Sequence, residues 1–151
     1  MTTECAAWFA ERVPTEWFDG APEVAMDRDE VLVVGTLRHG DPKAFREATR
    51  AARMSIAEVA EQRFGRKVSW GVVVGDDRYL FTHAAVPVMT RLRFGERGVL
   101  DTLIDAGVAR SRSEALAWCV RLVERHQGEW IGQLRDALRH VEDARASGPQ
   151  V

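Results

Sequence analysis

Two sets of residues in this chain could carry chemistry: a few histidines, cysteines and carboxylates, and a larger number of regularly spaced arginines. The first set forms no working site. His39, His83, His126 and His140 never pair with Cys or acids at a zinc spacing. There is no G-x-S-x-G elbow, phosphate loop or G-x-G-x-x-G run. No nucleophile, base and orienting group stand together, so no enzyme, metal site or cofactor is expected. The basic residues are better ordered. Met89, Arg91 and Arg93 alternate with Val88, Thr90, Leu92 and Phe94. A strand there shows one small basic face and one apolar face. Lys43, Arg46, Arg50 and Arg53 follow at steps of three and four, which puts them on one helix face. Ser111-Arg112-Ser113-Glu114 has the S-x-x-E form of a capping box.

The surrounding elements follow from periodicity. Trp8-Phe9 and Trp17-Phe18, either side of Pro14, suggest a short helix or arm over residues 1–22 that packs aromatic pairs onto the rest. Residues 23–86 read as a ββαββ unit. Its first hairpin turns at Asp27-Arg28-Asp29-Glu30, and Val31–Leu37 is a buried strand. One long helix opens after His39-Gly40-Asp41-Pro42. It carries Phe45, Ala48, Ala52, Ile56, Val59 and Ala60 as a single apolar stripe, ending near Phe64-Gly65. Val68–Gly75 and Tyr79–Ala84 are the last two strands of the unit. Residues 87–126 then read as a strand, Val88–Phe94, and two helices. The first runs from Glu96 to Ala106 and ends at Gly107; the second starts at Ser111 and buries Leu116, Cys119, Val120 and Val123. Beyond Gly128, residues 127–151 read as an extra helix with Trp130, Leu134, Leu138 and Val141 on its apolar face. A frayed tail at Ala146–Val151 follows.

A lone seven-residue strand leaves its ladder groups unmatched, and an isolated two-stranded ribbon is marginal. Pairing with the same strand of a second copy solves both problems. In this order of strand, helix, Gly107-Val108-Ala109-Arg110 turn and capped helix, residues 88–125 resemble a ribbon-helix-helix domain of the MetJ/Arc type. The resemblance implies an obligate dimer whose antiparallel ribbon enters the DNA major groove. It further implies that Arg91 and Arg93, with Met89, read bases. By the same likeness, Ser111, Arg112 and Ser113 at the second helix's start anchor phosphate. Free N–H groups and the helix dipole suit an anion there. Lys43, Arg46, Arg50 and Arg53 suit flanking phosphate contacts or a merely solvated face. Gly95, and Gly98 inside the first helix, depart from the family's usual pattern.

The expected fold class is therefore α+β: an N-terminal ββαββ unit and a C-terminal ribbon-helix-helix dimer domain extended by one helix. The expected function is sequence-specific binding of double-stranded DNA by a homodimeric (or higher even oligomeric) transcriptional regulator. An alternative is a protein-interaction or antitoxin-like module whose ribbon-helix-helix half only dimerises. A regulator sensing a small ligand through its N-terminal unit is a third reading, although the sequence shows no pocket chemistry for it. Composition is compatible with these readings. The net charge of −2 conceals an excess of +2 in residues 87–126, and a local stripe matters more to phosphate than the total. No apolar run approaches the roughly 20 residues that span a bilayer. With only Cys5 and Cys119, no disulfide framework is expected. The expected location is the cytoplasm, at the nucleoid when DNA is bound.

Overall fold

The computed structural model describes residues 2–148, which divide into two compact units with the boundary between Val88 and Met89. The first is built on a four-stranded sheet. Its strands are β1 (Glu23–Met26), β2 (Glu30–Thr36), β3 (Lys67–Val74) and β4 (Asp77–Leu80), in the order β1-β2-β3-β4. The outer pairs are antiparallel hairpins, while β2 and β3 are parallel with Val31 opposite Val68. A parallel pair needs a long crossover. Helices α2 (Pro42–Ala48) and α3 (Arg50–Phe64) supply it.

Helix α1 (Thr2–Arg12) is woven into the same core. Cys5, Trp8, Phe9 and Val13 recur at helical spacing and are all buried, together with Phe18, Val31, Val33, Trp70 and Val72. The aromatic rings meet edge-on: Trp8 on Phe64, Phe9 on Trp70 and Trp17 on Phe45, with centroids 5.7, 5.9 and 5.8 Å apart. That geometry matches ring edge to ring face. The expected hairpin turn is present. The Asp27 carboxylate accepts the Asp29 and Glu30 N–H groups, each at 2.8 Å, and so closes the turn. Gly65 ends α3 in the left-handed region, as its place after Phe64 suggested.

Two expectations for this unit are corrected. The expected single long helix is broken at Thr49 (φ −97°, ψ 0°), whose hydroxyl donates to the Phe45 carbonyl at 2.7 Å. Thr49, Arg53, Ile56, Ala60 and Phe64, at steps of three and four continuing from Phe45, face inward. Ala48, Ala52 and Val59 are exposed instead. The last strand covers Asp77–Leu80 rather than Tyr79–Ala84. Gly75, at φ +61°, makes a tight turn that starts the strand early, and Phe81 N–H to the Trp70 carbonyl is its final contact.

The second unit consists of α4 (Phe94–Asp105) and α5 (Arg112–Ser147) around Leu100, Ala109 and Ala115, with Leu92, Leu103, Ile104, Leu116 and Cys119 packed against them. Gly107, at φ +75°, closes α4 as expected, with its N–H on the Ile104 carbonyl. The two helices expected after Ser111 join end to end. Gln127 (φ −124°, ψ 19°), beside Gly128, marks the kink between them. The helix runs to Ser147, past the expected start of the tail; residues 149–151 of that tail lie outside the described residues.

The strand expected at Val88–Phe94 is not formed: among the described residues no strand pairs with this segment, and Phe94 is helical. Helix α4 also begins two residues earlier than expected. The Glu96 carboxylate accepts the Arg93 N–H at 2.6 Å, which makes Phe94 helical rather than the last strand residue.

Two measurements check this packing. A Cβ at Gly35 would overlap the Phe18 ring, so Gly35→Ala should cost about 1–3 kcal/mol in denaturant melts. The two turn N–H groups hold the Asp27 carboxyl below its ordinary range. Its contribution is therefore fully present above the unfolded pKa of about 4 and is lost as pH falls through the lower folded value. Asp27→Asn should accordingly lose less stability than the wild type between about pH 5 and pH 2.

Candidate nucleic-acid interface

The chain around Arg91 and Arg93 is extended and open. Arg93 has φ −79° and ψ 171°, and both arginines are exposed. Met89 is 99% exposed, and Val88 and Phe94 are each 85% exposed. Of the four residues expected on the apolar face, Leu92 alone packs onto the helices. Val88, Thr90 and Phe94 face solvent in the single chain. Arg97, which sequence reasoning did not single out, donates from Nη1 to the Leu92 carbonyl at 2.7 Å and fastens the segment to α4. Its guanidinium lies 6.0 Å from the Phe94 ring centre.

The start of α5 is capped as the spacing suggested. Ser111 Oγ accepts the Glu114 N–H at 3.2 Å, while Glu114 reaches back to accept the Arg110 N–H at 2.8 Å. Ser111 and Ser113 are exposed beside the first-turn N–H groups. Arg112 is differently placed. Its Nε and Nη2 both donate to Asp101 on α4, each at 2.8 Å, in a bidentate ion pair. The pair holds the Asp101 carboxyl below its usual range and raises the Arg112 guanidinium. Arg112 thus braces α5 against α4 and presents little free fork to an anion. The separation of eleven residues across the turn hid this pair from sequence periodicity.

In the first unit, Lys43, Arg46 and Arg50 are exposed, but Arg53 is only 7% exposed. Its Nε donates to Thr49 Oγ1 at 3.0 Å and its Nη2 to the Arg46 carbonyl at 2.7 Å. Burial beside Thr49 removes Arg53 from the shared basic face, correcting its expected role as a surface phosphate contact. Among the described residues, no cluster of three or more His, Cys, Asp or Glu could hold a metal. No described helix is long and apolar enough to cross a membrane.

The two units coincide with two family matches. A family described as Rv1265-like protein, N-terminal domain, matches residues 3–44 and 38–80. A family described as Mb1296 C-terminal domain matches residues 93–145. The Mycobacterium tuberculosis H37Rv protein Rv1265 is 55% identical over 159 residues, spanning 97% of this chain and 70% of the relative. Mycobacterium bovis Mb1296 has the same identity and coverage. No solved structure matches the chain. Identity at this level, across both units, establishes that the chain belongs to the Rv1265-like family.

Proposed function

We propose that this protein is a homodimeric, sequence-specific DNA-binding regulator in which the segments 88–93 of two copies pair as a ribbon. One observation carries the reading. An extended, unladdered segment with exposed Arg91 and Arg93 leads directly into two helices whose apolar faces are uncovered at Val99, Val120 and Val123. A second copy completes the ladder and covers those faces in one step. Arg91 and Arg93, with Met89 beside them, then face the major groove. The N–H groups at Ser111 and Ser113 face phosphate, with Arg112 supporting them from its ion pair. Exposed Lys43, Arg46 and Arg50 are available for further backbone contacts. The working location is the cytoplasm, on DNA.

A second reading has its own observation. Trp130, Leu134, Leu138 and Val141 line one face of α5 and are all exposed. Such a face also fits a module that binds another protein through α5 and uses the ribbon only to dimerise.

One experiment tests the shared ribbon and a second decides between the readings. Leu92→Arg places a charge in the packed side of the segment and should abolish the dimer in sedimentation runs. A monodisperse wild-type monomer would sink the ribbon. Selection from random double-stranded DNA tests readout. Wild type should enrich a two-fold or tandem site, and each of Arg91→Ala and Arg93→Ala should weaken binding to it by about 1–3 kcal/mol per lost base contact. Dimer affinity should not change. A wild-type dimer that enriches no sequence supports the interaction module instead.

A further inference from the structure

The first unit contains a cavity of about 620 Å³ between α3 and β3, and the proposed DNA contacts make no use of it. Its origin lies in the sheet. Strand β4 pairs only with Gly71–Val74, so the edge of β3 from Lys67 to Ser69 is bare on that side. Helix α3 overhangs this gap. The walls include Arg53, Met54, Ala57, Glu58, Val68 and Trp70.

Arg53 is the unusual member of this wall. It is a buried cation with no carboxylate partner among the described residues. Its Nε and Nη2 are used within the helix elbow, its Cζ lies 4.9 Å from the Phe81 ring centre, and its Nη1 has no protein partner and is not sealed from solvent. Burial, with Arg46 and Arg50 close by, pulls its pKa below the ordinary arginine value. An uncompensated buried charge is expensive, and an anion is its natural complement. The one buried unmatched side-chain donor among the described residues belongs to the same wall. The buried Trp70 Nε1 has no acceptor in the described structure. Because it is sealed from solvent, it serves as a reporter of occupancy, while the Arg53 fork is the anchor.

The remaining walls narrow the ligand class. Met54, Ala57, Val68 and the Trp70 ring offer apolar surface. Glu58 and Glu61 also line the cavity, and Glu61 is already paired with Lys67 at 2.9 Å. These carboxylates oppose a ligand carrying several negative charges. The volume lies within the usual range for small-molecule sites, about 300–1,000 Å³.

We propose that this cavity binds a small monocarboxylate with an apolar body, its carboxylate on Arg53 and its body against Met54, Val68 and Trp70.

Indole N–H resonances of the full chain provide the test. The chain has five tryptophans, and Trp70→Phe identifies the Trp70 signal by its loss. Hexanoate and phenylacetate should shift that signal saturably. Their primary amides, which cannot form the charge-assisted pair, should bind at least about tenfold more weakly. Arg53→Gln should abolish the difference between acid and amide, while Arg53→Lys should retain part of it. If Arg53→Gln fails to fold, Met54→Trp blocks the cavity from an exposed wall position and should remove the shift. The proposal is overturned by a lack of saturable shift, by equal binding of acid and amide to the wild type, by an acid–amide difference surviving Arg53→Gln, or by a shift surviving Met54→Trp. Tighter binding of inorganic tripolyphosphate than of either acid overturns the ligand class.

Discussion

The parallel pairing of β2 with β3 constrains everything else in the first unit. Two parallel neighbours cannot be joined by a tight turn, so the chain must cross over, and here it does so through α2 and α3. Parallel strands are also poor at facing water. Val31 and Val33 on β2 and Trp70 and Val72 on β3 need cover, and α1 and α3 bring Trp8, Phe9 and Phe64 to supply it. The contact of Phe18 with Gly35 belongs to the same demand, since a side chain at that point of β2 would hold the aromatic layer off the sheet.

The crossover also sets the unit's chemistry. Arg53 follows buried Thr49 by four residues, so it lies at the edge of the inward face and not on the solvated face with Lys43, Arg46 and Arg50. There it satisfies the Arg46 carbonyl at the end of α2 and lies over the Phe81 ring. One residue thereby stitches the elbow and leaves an unneutralised cation at a cavity wall. Such a group is costly for stability alone, and that cost is the physical reason to look for an anionic occupant.

The second unit is governed by incompleteness. Leu100, Ala109 and Ala115 make a small core that cannot cover two amphipathic helices. Exposed Val99, Val120 and Val123, together with an extended segment lacking ladder partners, are the faces a single chain leaves open. Within the unit, the Asp101–Arg112 pair and the Arg97 bond to Leu92 hold helix to helix and segment to helix. The match to Rv1265 covers 97% of this chain and so runs across both the sheet unit and the helical unit.

Local chemistry was legible in the sequence wherever its cause was local. The Asp27 turn, the Gly65 and Gly107 helix ends and the Ser111 cap each depend on residues within four positions, and each stands where its pattern indicated. The kink at Gln127 fell between two apolar stripes already separated by Gly128. Periodicity failed where a distant partner decided the outcome. At Thr49 the hydroxyl shares the Phe45 carbonyl with the backbone, and Arg53 is buried beside the expected Ala60 while Ala52 and Val59 are exposed. The length of β4 was set by its turn and its pairing with β3, not by its run of strand-forming residues. Arg112 looked free in the sequence because its partner lies eleven residues away across a turn. Residue order by itself determined which groups were charged, apolar or turn-forming; tertiary packing decided which of the charges remained available, because burial and pairing are properties of neighbours brought together in space.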